Sequence, residues 1–516
     1  MLTPPRNFPH HLEKPLLVLI KQLYPRLISS PPSNKAELYR LITCLLTSEF
    51  RGRTPNLWWL NYVALKYRFP ILPYTTKTVI RSLSGIVSVT VFTKSSGCSH
   101  HCLYCPTQPH QPKSYLADEP AVMRAHQNHF DPFLQVQKRL LALRLSGHPI
   151  NKVEIIIKGG TFSSYPSSYR RHFVQRLLDA VNKQPHSLSL IEAQKRNEHA
   201  TSRLVGLNIE TRPDSITQGE IKLLRELGVT HVELGVQILD DAILKTTRRG
   251  HTVNQVKQAT FLLKEAGFKI GYHLMLNLPG TTPSKDLTFL KRVFHPDFCP
   301  DYLKIYPTVI TRYTQLAKWY FQKRYQPYSL TKLLAVLTKF KNTSVPPWVR
   351  ISRLGRDITT HMMLVDLPSN LRQLLKTYCP CLRCREIKNQ TPLRPFKLRV
   401  IQYLASQRPE YFLEFIDQQH RSLAFLRLRL LADQGVIREL HVHGQATPLG
   451  QPGPIQHHRL GQQLLFRAEK ITQTAGLKKI RIIAGIGVRP YFRRFGYRLQ
   501  NTYMTKRLLL APKLRS

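Results

Sequence analysis

The chain has few cysteines, few acidic residues and no long apolar run, although it contains 516 residues. Its N-terminal segment contains one apolar run, residues 16–20, which is far shorter than the roughly 20 residues of a membrane span. No signal-peptide core with a small-residue cleavage site follows it. We therefore expect a soluble, cytoplasmic protein that does not bind membranes. In that compartment, free thiols suit metal binding better than disulfides.

Acidic residues are scarce relative to basic ones: 30 Asp and Glu stand against 77 Lys and Arg, a formal charge of +47. Self-repulsion on this scale destabilises a compact chain unless a polyanion offsets it. Nucleic acid is the expected partner, because phosphate contacts dominate affinity in such complexes. A basic bias of the whole proteome is the alternative, since the basic residues are spread along the chain. Composition does not separate RNA from DNA.

The arrangement of apolar segments predicts several domains, and the length suggests about three. Residues 1–80 have the pattern of a small basic helical region. From residue 84 onward, short β-rich segments alternate with amphipathic helices, which indicates a parallel sheet, open or closed into a barrel. Active sites on such sheets lie at the C-terminal ends of the strands. After residue 392, strands follow one another at short spacing around one helix, which predicts a separate α+β domain.

Three cysteines lie within eight residues directly after the first strand, in the segment GCSHHCLYCPTQP. Cys98, Cys102 and Cys105 are too close together to serve distant disulfides, and short loops of this kind hold iron–sulfur clusters. Three ligands leave one iron of a cubane cluster free to bind another molecule. A zinc knuckle or a chance grouping is the alternative. Gly159 and Gly160 follow the next strand, where they allow the backbone to approach a ligand closely.

A second dense group of thiols, Cys379, Cys381 and Cys384, lies in the segment TYCPCLRCREI. Thiolate ligands at short spacing suit tetrahedral zinc. A fourth ligand is missing locally, and we expect Cys299 or a histidine to supply it. Three buried thiols in a linker are the alternative.

The order of these motifs resembles one family. A strand, the Cys-x3-Cys-x2-Cys loop and further strand–helix units resemble the radical S-adenosylmethionine (SAM) superfamily. Within it, the chain resembles the catalytic subunit of Elongator and its stand-alone bacterial and archaeal relatives, over roughly residues 75–505. The segments that carry the resemblance are CLYCPTQP, NKVEIIIKGGTFSSYP, GLNIETRPD, HVELGVQ, YHLMLNLPGTT, LKIYPT, IRELHVHG, QHHRLGQQLL and GIGVRPYFRRFGY.

The resemblance implies an α/β architecture in four parts. Residues 1–80 are a basic helical region that binds transfer RNA, and residues 81–345 are a partial (β/α) radical SAM barrel. Residues 346–392 are a zinc-binding linker, and residues 393–516 are an α+β acetyltransferase domain of the GNAT type. The implied partner is the anticodon stem-loop of transfer RNA. The sequence leaves open whether the protein acts alone, as a homodimer or with other subunits.

The resemblance also implies a reaction and its cofactors: a [4Fe-4S] cluster on Cys98, Cys102 and Cys105, SAM, acetyl-CoA as substrate, and zinc. Radical chemistry on acetyl-CoA places a carboxymethyl-type group on carbon 5 of the wobble uridine. Lys152 and Tyr491 are the implied catalytic residues. The implied residues that bind SAM or acetyl-CoA are Lys152, Gly159, Gly160, Glu439, Leu440, His441, Val442, Leu460, Gly461, Gln462, Tyr491 and Phe492.

Three positions depart from the family pattern. Arg459 stands where a glycine is usual, Phe492 replaces the second tyrosine of a Tyr-Tyr pair, and Leu276–Asn277 replaces Pro-Gly. We expect these departures to affect the use of acetyl-CoA rather than the fold. Two alternative functions remain: a protein lysine acetyltransferase with a structural cluster, and an RNA-binding relative with impaired use of acetyl-CoA, which Arg459 and Phe492 suggest.

Overall fold

The structure is a computed structural model that describes residues 4, 7–50, 54–75, 84–96, 98, 100–356, 358–444, 455–456 and 458–509. The N-terminal region forms three helices, α1 (Glu13–Ser29), α2 (Lys35–Thr43) and α3 (Leu57–Lys66), around a small apolar core of its own. Asn34 and Asn56 cap the second and third helices by accepting backbone N–H groups, which satisfies donors that a helix start leaves unpaired. The expected boundary at residue 80 falls outside the described residues.

Seven parallel strands form the central sheet, in the order in which they occur in the chain. The strands are β1 (Ile86–Phe92), β2 (Lys152–Lys158), β3 (Arg203–Thr211), β4 (His231–Gln237), β5 (Lys269–Leu276), β6 (Tyr302–Pro307) and β7 (Arg350–Leu354). The helices between them are α4 (Pro120–His126), α5 (Pro132–Leu145), α6 (Ser167–Asn182), α7 (Leu190–Asn197), α8 (Gln218–Glu226), α9 (Asp241–Thr246), α10 (Val253–Glu265), α11 (Pro283–Arg292), α12 (Gln315–Phe321) and α13 (Leu330–Thr343). The last strand lies beyond residue 345, so the sequence-based end of the barrel was placed too early.

One face of this sheet is apolar and the other is polar. In β2, Val153, Ile155 and Ile157 are buried, and the residues between them are only half-buried. The buried face packs in the main core with residues of helices α5 and α6. Strands of a filled barrel carry bulky apolar side chains on their inner face. Here that face carries charged and polar groups instead, and the barrel interior is open.

The C-terminal domain contains a second seven-stranded sheet, in the order β13-β14-β12-β11-β10-β9-β8. Its elements are α14 (Leu382–Arg385), β8 (Lys397–Ala405), β9 (Arg408–Ile416), β10 (Ser422–Leu430), β11 (Gly435–Val442), α15 (Leu460–Thr474), β12 (Lys479–Ile482), α16 (Arg489–Arg493), β13 (Arg498–Gln500) and β14 (Tyr503–Arg507). Strands β11 and β12 are parallel, and they pair only from Gly435 to Ile437 on β11. The remainder of β11, residues 439–442, pairs with β10 alone, so its other edge is open.

Buried ion pairs join the two domains at the N-terminal ends of the barrel strands. Arg438 Nη1 lies 3.0 Å from both Asp301 Oδ1 and Glu410 Oε2, and Lys264 Nζ lies 2.9 Å from Glu410 Oε1. All four side chains are at most 1% exposed. We call these four residues the interface network. Because buried charges are costly unless they are paired, this network fixes how the two domains meet.

Candidate active site

The first cysteine loop lies at the C-terminal end of the barrel, directly after β1. Cys102 is buried, and Cys98 and Cys105 are half-buried. Backbone hydrogen bonds hold the loop in place: the Leu103 N–H donates to the Thr247 carbonyl, and the Leu316 N–H donates to the Leu103 carbonyl. The thiols therefore sit at the strand ends where the sequence placed them.

The surroundings of this loop fit an anionic cluster. The buried Arg249 guanidinium lies 3.6 Å from Cys102 Sγ, so its positive charge would offset the negative charge of a cluster held there. Burial and the nearby Cys102 raise the pKa of Cys105 to about 11, so a metal must displace its proton.

The spacing of the loop sulfurs suits a cluster better than a single ion. The sulfurs of Cys98, Cys102 and Cys105 do not all lie within 4.8 Å of one another. Their sulfurs are spread more widely than the ligands of one zinc ion, as a cluster of several irons requires. The donor set thus fits the [4Fe-4S] group that the sequence implies.

The two glycines after β2 need to be glycine. Gly159 has φ +132° and Gly160 has φ +101°, a region that side chains rarely adopt. A Cβ atom on Gly159 would lie 2.0 Å from Thr93 Oγ1, in the segment that follows β1. The backbone here therefore packs against the segment that leads from β1 into the cysteine loop, and its contact with SAM stays a prediction.

A cavity of about 2390 Å³ opens at the other end of the barrel, between the two domains and the N-terminal helices. The structure brings all of the residues implied for acetyl-CoA to its wall. They are Lys152, Glu439, Leu440, His441, Val442, Leu460, Gly461, Gln462, Tyr491 and Phe492. The cavity continues into the barrel along the inner face of β2 as far as Lys158, which immediately precedes Gly159.

The side chains in this wall have distinct environments. Lys152 Nζ donates to the Ser84 carbonyl at 3.4 Å, and burial lowers the pKa of Lys152. Burial raises the pKa of Tyr491, so its hydroxyl keeps its proton at neutral pH. That hydroxyl lies 3.2 Å from the position that a Cβ on Gly461 would take. Gly461 thus leaves room for Tyr491 at the start of α15.

The three departures from the family pattern have different structural consequences. Arg459 has φ +58° directly before α15, a left-handed conformation that costs a non-glycine residue about 1–2 kcal/mol. Phe492 is only 5% exposed and packs in the core of the C-terminal domain. Asn277 has φ +62°, and its side chain bonds both backbone groups of Tyr328. Asn277 follows β5 at the cluster end and is not part of the cavity wall, so its effect on the use of acetyl-CoA stays a prediction.

The three thiols of the second cysteine group lie close together. The ligand atoms of Cys379, Cys381 and Cys384 lie within 4.8 Å of one another. Cys299 does not join them, because its thiol donates to the Phe294 carbonyl at 3.2 Å and is buried elsewhere. The expectation of Cys299 as fourth ligand was therefore wrong. Arg372 Nη1 lies 3.6 Å from Cys384 Sγ instead, and no fourth His, Cys, Asp or Glu joins the group within the described part of the chain.

Sequence reasoning missed a group of charged residues inside the barrel, on the polar faces of the strands. They are Lys158, Glu210, Glu233, His273 and Lys304. We call them the barrel cluster. A signal was present, because β2 reads KVEIIIK with alternating polar residues, whereas buried parallel strands are normally continuous apolar runs.

Comparison with known proteins identifies the family. The radical SAM superfamily model matches residues 92–292, and the Radical_SAM C-terminal domain model matches residues 300–378. The tRNA uridine(34) acetyltransferase of Dehalococcoides mccartyi is 42% identical over 460 residues, which span 84% of this chain and 100% of the relative. The Elongator complex protein 3 of Homo sapiens is 35% identical over 482 residues, which span 86% of this chain and 88% of the relative. The chain belongs to the family of these two relatives, the Elongator complex protein 3 family of the radical SAM superfamily.

A solved structure from the Elongator complex protein 3 family agrees with the fold. The archaeal Methanocaldococcus infernus Elp3 with an N-terminal deletion (1–46) is 36% identical to this chain, with a TM-score of 0.73. The match spans 82% of this chain and 100% of the solved chain. The expected family, the mixed α/β fold and the assignment as a radical SAM enzyme are confirmed. No helix in the described parts of the chain is long and apolar enough to cross a membrane.

Proposed function

We propose that this enzyme uses radical SAM chemistry and acetyl-CoA to add a carboxymethyl-type group to carbon 5 of the wobble uridine of transfer RNA. One observation carries the proposal: a single cavity joins the acetyl-CoA residues of the C-terminal domain to the barrel interior beside Gly159. The names of the two relatives quoted above support uridine 34 of transfer RNA as the target.

The cluster end of the barrel supplies the radical. A [4Fe-4S] cluster on Cys98, Cys102 and Cys105 would, with bound SAM, generate a carbon radical that abstracts hydrogen. The chain's own contribution is to hold the sulfurs beside the Arg249 cation. The backbone of Gly159 and Gly160 then accommodates SAM without side-chain obstruction.

The C-terminal domain binds acetyl-CoA. Residues 439–442 offer free backbone groups along β11, because β12 diverges from it after Ile437. The first N–H groups of α15, at Leu460, Gly461 and Gln462, form an anion site for the pyrophosphate. The protonated Tyr491 hydroxyl can donate to the thioester or to the departing thiolate, and Lys152 lies in the same wall.

Charge selects a polyanionic substrate. The cavity wall contains fifteen Lys and Arg residues but only four Glu and no Asp. Lys35, Trp58 and Tyr74 of the N-terminal region also contribute to it, which suits phosphate contacts and base stacking. The anticodon stem-loop of transfer RNA is therefore the proposed partner of this cavity and of residues 1–80.

The second thiol group is proposed to bind zinc. Three sulfurs within 4.8 Å of one another match the thiolate ligands of a structural site. The site lies next to β7 and α14, between the two large domains, where the Leu382 N–H donates to the Val349 carbonyl. A zinc ion there would stabilise the linker, residues 346–392.

One alternative has support from a specific residue. Arg459 is strained in the loop that would bind the pyrophosphate, which favours an RNA-binding relative with impaired use of acetyl-CoA. Measurement of acetyl-CoA affinity separates this alternative from the main proposal. A protein lysine acetyltransferase is disfavoured by the basic cavity, unless its protein substrate is strongly acidic.

Anaerobic reconstitution tests the proposed function. The full chain is supplied with iron, sulfide, a one-electron reductant, SAM, acetyl-CoA and transfer RNA, and 5′-deoxyadenosine and modified uridine are measured by mass spectrometry. We expect both products, and neither from the Cys102→Ala variant. An intact cluster with no uridine product would contradict the proposal, as would full activity of the variant.

A further inference from the structure

Glu154 lies on the inner face of β2, where the acetyl-CoA wall of the cavity continues into the barrel. It is two residues beyond Lys152, and alternate residues of a strand share one face. Both side chains line the cavity, and Glu154 is half-buried. Its Oε2 accepts a hydrogen bond from the Ser88 hydroxyl at 3.2 Å. The carboxylate is therefore held in place at the cavity surface.

The other oxygen of Glu154 is available to a molecule in the cavity. Among the described residues, only the Ser88 hydroxyl donates to this carboxylate, and it donates to Oε2. Oε1 is not one of the enclosed, unpartnered atoms of the described chain, whereas Glu210 Oε1 is. A Cβ atom on Gly206 of β3 would lie 3.4 Å from Glu154 Oε1. The glycine thus leaves room for the carboxylate, and Oε1 can accept a proton from the cavity.

Glu154 differs from the other acidic residues of the cavity wall, which contains four glutamates. The other three each contact a basic side chain, in the pairs Glu233–Lys304, Glu386–Arg350 and Glu439–Arg427. Within the described parts of the chain, Glu154 alone of the four forms no ion pair. Its carboxylate is therefore not committed to a structural cation.

Backbone contacts bring Glu154 close to the C-terminal domain. Glu154 pairs in register with Gly206 of β3. The preceding residue, Val205, lies so close to Gly485 that a Cβ atom there would be 2.1 Å from the Val205 carbonyl oxygen. Gly485 lines the cavity and lies shortly before α16, which carries Tyr491. Glu154 and Tyr491 thus flank the junction between the barrel and the acetyl-CoA wall.

We propose that Glu154 is the general base that activates water for hydrolysis of the CoA thioester. This inference rests on the proposed function and adds a catalytic residue to it. In that function, the new carbon–carbon bond leaves the carboxymethyl-type group joined to CoA as a thioester, which water must cleave. A carboxylate with one oriented oxygen and one open oxygen, in the same wall as Tyr491, suits this step.

The hydrolysis consumes one water molecule and transfers no electrons. The water oxygen bonds to the thioester carbon while its proton passes to Glu154 Oε1. The carbon–sulfur bond then breaks, and the Tyr491 hydroxyl donates its proton to the departing CoA thiolate. The new carboxylic acid ionises, and proton exchange with solvent restores both side chains. General base catalysis of this kind accelerates a reaction by about 10²–10⁴-fold.

The histidines of the cavity wall are the other candidate bases, and three of the four are enclosed. His231 is 6% exposed and His443 is 1% exposed. The ring of His441 packs against that of His443, with 4.8 Å between the centroids. His148 is the fourth histidine of the wall, and it lies on the loop that precedes β2.

Release of CoA from acetyl-CoA tests the base without radical chemistry. The full chain is incubated with transfer RNA and acetyl-CoA in the absence of SAM, and free CoA is measured by liquid chromatography. We expect the wild-type chain to release CoA. In Glu154→Gln, kcat should fall about 100-fold or more while KM for acetyl-CoA stays within about twofold. Glu226→Gln is the control and should keep the wild-type rate, because Glu226 pairs with Arg171 on α8 and is outside the cavity wall.

The complete reaction gives a second readout, which a purely structural role of Glu154 would not produce. Reconstituted Glu154→Gln is given a one-electron reductant, SAM, acetyl-CoA and transfer RNA. Because only hydrolysis is blocked, 5′-deoxyadenosine should still form. The transfer RNA should then carry CoA as a thioester on the wobble uridine, which its mass reveals. An unfolded chain cannot give this signal.

The outcomes separate this inference from the proposed function. A wild-type rate of CoA release in Glu154→Gln would overturn the inference, as would the absence of CoA release by the wild-type chain. If Glu154→Gln failed to fold, Glu154→Asp would decide, because it keeps the charge and withdraws it by one methylene. Its kcat should fall about tenfold or more, and a wild-type rate would overturn the inference. If CoA release depended on Glu154 but the wild-type chain modified no uridine, the proposed function would fail and the base would stand.

Discussion

Removal of Arg438 should weaken the junction between the two domains. This side chain is 0% exposed, and its guanidinium bonds Asp301, Glu410 and the Phe268 carbonyl. Arg438→Met leaves two buried carboxylates short of a partner, and breaking a buried pair in this way costs about 3–5 kcal/mol. The thermal unfolding midpoint should fall by about 6 °C or more, as measured by circular dichroism and scanning calorimetry.

Two further variants make this prediction specific. Arg196→Met removes an ion pair whose partners are 44% and 28% exposed, so it should cost at most about 1 kcal/mol. Combining Arg438→Met with Asp301→Asn should recover part of the loss, because it removes the charge of one of the two carboxylates that lost a partner. If Arg438→Met lowered the midpoint no more than Arg196→Met, the reasoning about the interface network would be refuted.

Three further predictions concern individual sites. Arg459→Gly should stabilise the chain by about 0.5–1 kcal/mol in urea unfolding, because relief of the left-handed strain exceeds the entropy cost of glycine; a loss of stability would contradict the account of this loop. The purified chain should contain one zinc ion by elemental analysis, and Cys381→Ala should lose it and unfold at lower temperature; a metal-free wild-type chain would refute the zinc site. Burial raises the pKa of Glu439, but Lys269, Arg427 and Tyr302 outweigh burial and lower it to about 2. The stability from Glu439 should therefore be complete above about pH 4.5 and lost as the pH falls towards 2, so Glu439→Gln should reduce the acid sensitivity of the unfolding midpoint; an unchanged pH profile would count against this assignment.

The order of elements could be predicted because it depends on local patterns. Apolar runs, helix spacing and the Cys98–Cys105 loop lie within short segments, and the strand that precedes the loop fixes its end of the sheet. The position of β7 was missed because RISRL is short and contains two arginines, which do not indicate a buried strand. The surroundings of Cys299 could not be read from spacing, because its thiol lies not only beside the Phe294 carbonyl but also 3.7 Å from the Leu404 carbonyl of β8 in the other domain.

The inner face of the barrel was the main feature that the sequence did not reveal to us. Lys158, Glu210 and Lys304 are far apart in the chain, and each alone is typical of a solvated strand end. They form a cluster only because the parallel strands β2 to β6 bring their side chains together on the inner face of one sheet, where Lys304 pairs in register with His273. The alternation in KVEIIIK indicated a polar face. The strand register was needed to show which charged side chains of the other strands meet it.

Transfer of deuterium tests the central claim most directly. The claim is that the radical formed at the cluster end of the barrel reacts with acetyl-CoA bound in the cavity at the other end. The reconstituted enzyme is given a one-electron reductant, transfer RNA, SAM and acetyl-CoA with a fully deuterated methyl group. We predict deuterium in the 5′-deoxyadenosine and a deuterated carboxymethyl-type group on the wobble uridine. Modified uridine accompanied by 5′-deoxyadenosine without deuterium would contradict the account.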